Sequence, residues 1–336
     1  MNTLNALVAF LNFVFVPGVA YGAQLALGAL GVTLIYGILR FSNFAHGDTM
    51  AFGTMVTILF TWWFQSIGLT IAPLPTALLA LPFGIAITAL LVLGTDRVVY
   101  RFYRKQKADP TILVIVSLGV MFVMNGLVRF IIGVDDQDFF DGTRFIISAG
   151  DFKTMTGLNE GLAIKSTQAI TLIAAIVVCA WLFWFLQKTR TGKSMRAFSD
   201  NEDLALLSGI NPDRVVAVTW IIAAALATIA GTLYGLDKSF KPFTYYQLLL
   251  PIFAAAIVGG LGSPLGAIAG GFVIAFSEVM VTYAWKKVVT YIVPTEYAPD
   301  TLIQLLSTDY KIAVSFTILI IVLLFMPTGL FKGKST

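Results

Sequence analysis

The sequence predicts an all-α polytopic integral membrane protein with about 8–10 membrane helices, some broken or re-entrant. Three observations predict it. Of the residues, 58% are hydrophobic and only 12% charged, whereas soluble domains run at about 45–50% apolar and about 25% charged. Mean hydropathy is +0.86. Uncharged runs cover 1–39, 49–95, 111–128, 166–187, 215–236, 242–277 and 312–331. A helix needs about 20 apolar residues to cross the hydrocarbon, so the longest runs each supply two segments.

Taken in order, Pro17-Gly18 divides the first run into a short piece, 4–16, and a full span, 18–39. At about 1.5 Å per residue the short piece reaches only about two-thirds across the hydrocarbon, which makes it interfacial or re-entrant. The later spans read as 49–68, 73–94, 111–131, 166–187, 214–236, 245–262, 264–285 and 312–326. The first ten residues carry no Lys or Arg, so the basic region of a cleavable signal is missing, although Gly18-Val19-Ala20 imitates a cleavage site. The start of the chain is expected to be retained.

Charges set the orientation. Arg97, Arg101, Arg104, Lys105 and Lys107 follow one span, Lys188, Arg190, Lys193, Arg196 and Arg214 cluster two spans later, and Lys332 and Lys334 come last. The positive-inside rule places these in the cytoplasm. Residues 133–165 hold Asp135, Asp136, Asp138, Asp141, Asp151 and Glu160 against Arg144, Lys153 and Lys165, so that loop is expected outside. Residues 288–310, with Pro294 and Pro299, are too polar to span and suit a short external cap. The net charge of +4 comes with no basic stripe interleaved with aromatics, so no nucleic acid is expected as partner.

The most informative motif is Asn43-Phe44-Ala45-His46-Gly47-Asp48, which sets the sole histidine and an acid between two long apolar segments. Unwound backbone at membrane depth survives only beside protein or a watery cavity, which suggests a broken helix on a transport path. A turn at the cytoplasmic surface, with Asn43 or Asp48 capping the next helix, fits the same residues. His46 and Asp48 give too few ligands for zinc, and Cys179, alone in an apolar run, is a packing residue, so no metal is expected. No catalytic constellation accompanies His46.

Gly259, Gly260, Gly262, Gly266 and Gly270 crowd one stretch, and the last three stand four apart, a flat strip for close helix packing. Ser263 can cap the following helix with Pro264 at its first position. Gly192-Lys193-Ser194 imitates the end of a phosphate loop, but Gln187 stands where the opening glycine is required, and Thr328 fails likewise before Gly333-Lys334-Ser335. No ATP cradle is expected in this chain. Ser199-Asp200-Asn201-Glu202 has capping-box spacing and precedes Asp203, Leu204 and Leu207, with Gly209 as the stop. That spells a short helix over 200–208 which could fill a partner's groove or lie on headgroups. Glu278 within the 264–285 span is a further pathway candidate. Arg129 can snorkel outward, and Gln24 and Asn125 suit interhelical hydrogen bonds.

Several stretches together resemble the membrane permeases of branched-chain amino acid ABC importers, of the LivH type. Gly31-Val32-Thr33-Leu34-Ile35-Tyr36-Gly37 running into Asn43–Gly47 resembles the N-terminal signature. Thr191-Gly192-Lys193-Ser194-Met195-Arg196-Ala197 through Leu207-Ser208-Gly209-Ile210-Asn211 resembles the cytoplasmic coupling loop. Ala230-Gly231-Thr232-Leu233-Tyr234-Gly235 and 258–267 resemble the C-terminal half. Departures are longer 133–165 and 288–310 stretches and an acidic 199–203 where alanines are commoner.

The resemblance implies a single transmembrane permease domain over 1–336 in a bacterial inner (plasma) membrane, with 133–165 external and 188–213 as cytoplasmic coupling loop. It implies as partners a second permease subunit, two cytoplasmic ATPase subunits that bind the ATP, and a periplasmic substrate-binding protein. Substrate is then expected to pass near Asn43, Phe44, His46, Gly47, Asp48 and Glu278, while Ser199, Asp200, Glu202, Asp203, Leu204, Leu207 and Gly209 couple to the ATPases. Branched-chain or related small neutral amino acids are the expected cargo, with amides or urea as the alternative. An ion-coupled secondary transporter acting through His46, Asp48 or Glu278, and a membrane enzyme using His46 and Asp48, are the competing classes.

Overall fold

The computed structural model describes residues 2–293, 301 and 303–331. Pro294, Pro299, Lys332, Lys334 and the 333–335 triplet lie outside the described residues. Helices dominate: α1 Asn2–Leu39, α2 His46–Ser66, α3 Ala77–Lys105, α4 Pro110–Ile132, α5 Ala149–Thr156, α6 Ser166–Lys188, α7 Arg190–Asp200, α8 Glu202–Leu207, α9 Pro212–Lys238, α10 Pro242–Gly259, α11 Pro264–Thr282, α12 Lys286–Ile292 and α13 Lys311–Phe325. Among the described residues, eight of these are long and apolar enough to cross a membrane: α1, α3, α4, α6, α9, α10, α11 and a last span, Thr308–Phe325, that contains α13. The ninth expected span, α2, has the length but carries His46, Asp48 and a row of threonines.

The expected division at Pro17-Gly18 is not found. A wide π-type turn over Leu11–Phe15, closed by the Val16 N–H on the Leu11 carbonyl, comes just before Pro17 and carries the helix past a residue that brings no N–H. At about 1.5 Å per residue α1 is then about 57 Å long, well beyond the hydrocarbon thickness of about 30 Å. Its early turns are docked on the 133–165 loop. Asn5 Oδ1 accepts the N–H groups of Asn159 (3.0 Å) and Glu160 (3.2 Å), and Asn12 Oδ1 that of Ala163 (2.8 Å).

That loop is folded. It contains α5 and a two-stranded antiparallel pair, β1 Phe145–Ile147 with β2 Ile164–Lys165, a small exception to an all-helical chain. Asp141 clamps it to the α2–α3 connection, accepting from the Thr76 N–H (2.8 Å) and from Gln65 Nε2 (2.9 Å). Partial burial works against the Asp141 charge, but those hydrogen bonds prevail and hold its carboxyl below the usual range.

α9 is the most enclosed of the eight spans, and the span containing α13 the least. Close approach at the centre comes from threonines seated on glycines: a Cβ on Gly53 would overlap Thr228, one on Gly231 Thr54, and one on Gly84 Thr57. The Thr54, Thr57 and Thr228 hydroxyls donate to the carbonyls four residues back, so these polar side chains need no further partner in the apolar core.

The glycine-rich stretch divides differently from the expected strip. Gly259, Gly266 and Gly270 are the packing residues: added Cβ atoms at Gly259 and Gly266 would each run into the other's backbone, and one at Gly270 into the Ala255 carbonyl. Gly260 (φ +110) and Gly262 (φ +84) instead make the turn between α10 and α11, in left-handed conformations that glycine alone adopts without strain. Ser263 caps α11 by accepting the Gly266 N–H at 3.2 Å, with Pro264 following.

Candidate functional site

Residues 40–45 join α1 to α2, and the connection does not stay at the end of the bundle. His46 opens α2 beside Gly28, about 16 Å back along α1 from Leu39 at about 1.5 Å per residue. Phe44 donates its N–H to Ser117 Oγ at 3.1 Å, two turns inside α4. Non-helical backbone therefore runs inside the helix bundle, enclosed by α1, α4 and α10.

Each side chain has a defined neighbour. Asn43 Oδ1 accepts the Ala45 N–H and the Tyr100 hydroxyl, both at 3.2 Å, so it shapes the bend before the helix rather than capping its first turn. Asp48 is no cap either; the residue before α2 is Ala45, which has no side chain to cap it. Phe44 packs on Phe253 with ring centroids 5.1 Å apart. Gly47 permits contact with α10, since a Cβ there would stand 2.8 Å from the Tyr245 carbonyl oxygen.

His46 is buried with Nε2 3.1 Å from the Gly28 carbonyl oxygen. A carbonyl only accepts, so Nε2 carries the proton of that contact. The ring occupies the space that Gly31 leaves: a Cβ on Gly31 would lie 2.5 Å from His46 Cε1. Gly31→Ala is accordingly expected to lower stability by about 1–3 kcal/mol through overpacking. Denaturant unfolding in detergent checks this, and an unchanged midpoint would count against it.

Asp48 faces another way. Its Oδ1 accepts from Asn125 Nδ2 at 2.7 Å, and its buried Oδ2 has no hydrogen-bond partner among the described residues. Two residues apart on a helix point roughly 200° apart. His46 and Asp48 thus address α1 and α4 separately, and no group of three metal-ligating side chains occurs among the described residues.

Glu278 does not join them. It accepts from the Ser315 hydroxyl of α13 and neighbours Tyr21, and Tyr21 lies about 27 Å along α1 from Leu39. Glu278 ties the peripheral α13 to α1 and α11 at the other end of the bundle.

The coupling candidates also separate. The helix is Glu202–Leu207 rather than 200–208, and Ser199 and Asp200 belong to the last turn of α7. Asn201, not Ser199, is the cap: its side chain accepts the Leu204 N–H at 3.0 Å. Glu202 and Asp203 occupy the first turn, which suits the positive helix end. Gly209, at φ +79, stops α8, with its N–H on the Leu206 carbonyl at 3.0 Å. Ala205 faces inward while Leu204 and Leu207 are 60% and 85% exposed.

One network escaped sequence reasoning. Asp96, in a second π-type turn over Asp96–Tyr100, pairs with Arg104 through two hydrogen bonds and accepts from Trp220 Nε1 at 2.8 Å. Tyr100, which holds Asn43, stacks on Trp220 with centroids 5.2 Å apart. Its one local signal is an acid and a base eight residues apart at the end of a span.

The sequence profile of the branched-chain amino acid transport system permease component matches residues 14–323. The chain is 31% identical to the high-affinity branched-chain amino acid transport system permease protein LivH of Salmonella typhimurium over 93% of this chain and 92% of that one. Against LivH of Escherichia coli the figures are the same. BraD, the corresponding protein of Pseudomonas aeruginosa, is 28% identical over 94% of each. Among solved structures, PsaBC from Streptococcus pneumoniae in complex with Fab aligns at 12% identity and a TM-score of 0.45, covering 97% of this chain and 92% of that one. With a profile that runs from the π-type turn of α1 to the last turns of α13, and relatives covered almost end to end, the chain belongs to the family of branched-chain amino acid transport permeases.

Proposed function

We propose that this permease forms half of the translocation pore of a bacterial inner-membrane ABC importer for branched-chain or related small neutral amino acids. ATP is hydrolysed by two cytoplasmic subunits, a second permease completes the pore, and a binding protein delivers cargo to the face formed by 133–165. The chain itself does no covalent chemistry. The relatives' names support the substrate class.

One observation carries the energy-coupling part: a capped six-residue helix presents Leu204 and Leu207 to solvent at the basic end of the bundle. Two exposed leucines on one short capped helix suit insertion into a partner's groove, and the family resemblance favours that over contact with headgroups. The segment Asn43–Asp48, buried and non-helical at its start, is the natural moving part beside the path. Vesicles carrying this chain alone are expected to show no uptake above leak. Uptake should appear only when the second permease, the ATPases, the binding protein and ATP are all supplied. Ion-gradient-driven uptake by the chain alone would establish the secondary-transporter reading instead.

A further inference from the structure

Between the exposed α8 and the buried 43–48 segment runs a short, defined connection. Arg40, the residue that ends α1, is left-handed at φ 57 and ψ 26, with its N–H on the Tyr36 carbonyl at 3.0 Å. A non-glycine residue in that conformation carries a steric cost, so a compensating interaction is expected. Arg40 has one. Its Nη2 donates to the Ser199 carbonyl oxygen at 2.6 Å, within the last turn of α7. That oxygen is among those a helix end leaves unpaired, and the guanidinium meets the negative end of the helix dipole.

Elsewhere α7 stands partly away from α1. A cavity of about 200 Å³ opens between them, lined by Gly37 and Ile38 on one side, Met195 and Arg196 on the other, and Gly262 and Pro264 of the α10–α11 turn. The tie across this gap is a directed hydrogen bond more than continuous packing. On the far side of Arg40 the chain plunges inward: Phe41 and Asn43 are buried, and Asn43 is held by Tyr100, itself stacked on the Trp220–Asp96–Arg104 frame. Residues 40–45 therefore join the last turn of α7, through Arg40, to the buried Asn43, which one 3.2 Å hydrogen bond links to Tyr100.

We propose that Arg40 is a positioning residue that converts displacement of α7 and α8 into displacement of the Asn43–Asp48 segment. This rests on the reading of α8 as the ATPase dock. Arg40 is exposed, so changing it leaves the core intact. In Arg40→Asn the guanidinium is lost while the residue still tolerates the left-handed conformation; in Arg40→Lys a cationic donor remains.

The assembled transporter is reconstituted with each variant, and ATPase association, ATP hydrolysis and uptake per ATP are measured. For Arg40→Asn, association and hydrolysis are expected to be retained while uptake per ATP falls about tenfold, the scale of one lost charge-assisted hydrogen bond. Arg40→Lys should recover to within about threefold. Unchanged uptake per ATP in Arg40→Asn overturns the proposal, as does equal impairment of both variants, or loss of assembly, which would make Arg40 a brace of the dock itself. Failure of the dock reading is distinguishable, because it shows as normal ATPase association when Leu204 and Leu207 are changed.

Discussion

Aspartate at both Leu204 and Leu207 is expected to abolish ATPase association and with it uptake, while the chain folds normally. The two leucines are the most exposed apolar side chains of α8, whereas the helix itself depends on Asn201 as cap, on inward-facing Ala205 and on Gly209 as stop. Neither substitution touches those supports. Anchors of this kind carry about 2 kcal/mol or more each, and a carboxylate pressed into an apolar groove adds its own desolvation cost. Together they predict an affinity loss of about a thousandfold or more. Titration of detergent-solubilised permease with the ATPase subunits measures it, alongside circular dichroism of each variant. Wild-type association by a folded double variant would remove α8 from the coupling path.

The largest loss of stability is expected from Asp96→Ala. Asp96 is buried, with both carboxylate oxygens engaged by Arg104 and one also by the Trp220 indole. Removing the carboxylate strands a largely enclosed guanidinium and an indole N–H at once. Breaking one side of such a pair costs about 3–5 kcal/mol. Removing both charges, as Asp96→Leu with Arg104→Met, should be far milder, since a hydrophobic replacement of a whole buried pair is often close to neutral. Denaturant unfolding in detergent of Asp96→Leu, Arg104→Met and the two together gives the coupling directly. A single variant that unfolds like the parent would mean that water, not Asp96, satisfies Arg104.

What the sequence made legible follows from what is local. The spans were readable because each is a run of apolar residues, and the α10–α11 turn because glycine, serine and proline each impose a specific backbone demand there. Pro17 misled because a break was one of two ways to absorb a missing N–H, and the wide turn at Leu11–Phe15 is the other. Ser199 had capping-box spacing, but α7 runs on to Asp200 and leaves Asn201 as the cap. The Asp96–Trp220 contact joins residues 124 apart in sequence, and Glu278's partner Ser315 is 37 away. No local pattern encodes such pairs, so the bend around Asn43 could be seen as unusual while its neighbours could not be named.

The polarity of α2 bears on how the molecule is made. It is the spanning-length helix missing from those apolar enough to cross a membrane by themselves, and its opening turns are wholly enclosed by other helices. Gly53 and Thr54 close against Thr228 and Gly231 of α9, which leaves the ribosome long after α2 does. Integration into the bilayer is therefore expected not to proceed one helix at a time. Histidine and aspartate are then expected to be sheltered at the insertion site, by the protein-conducting channel or by α1, until synthesis reaches α9.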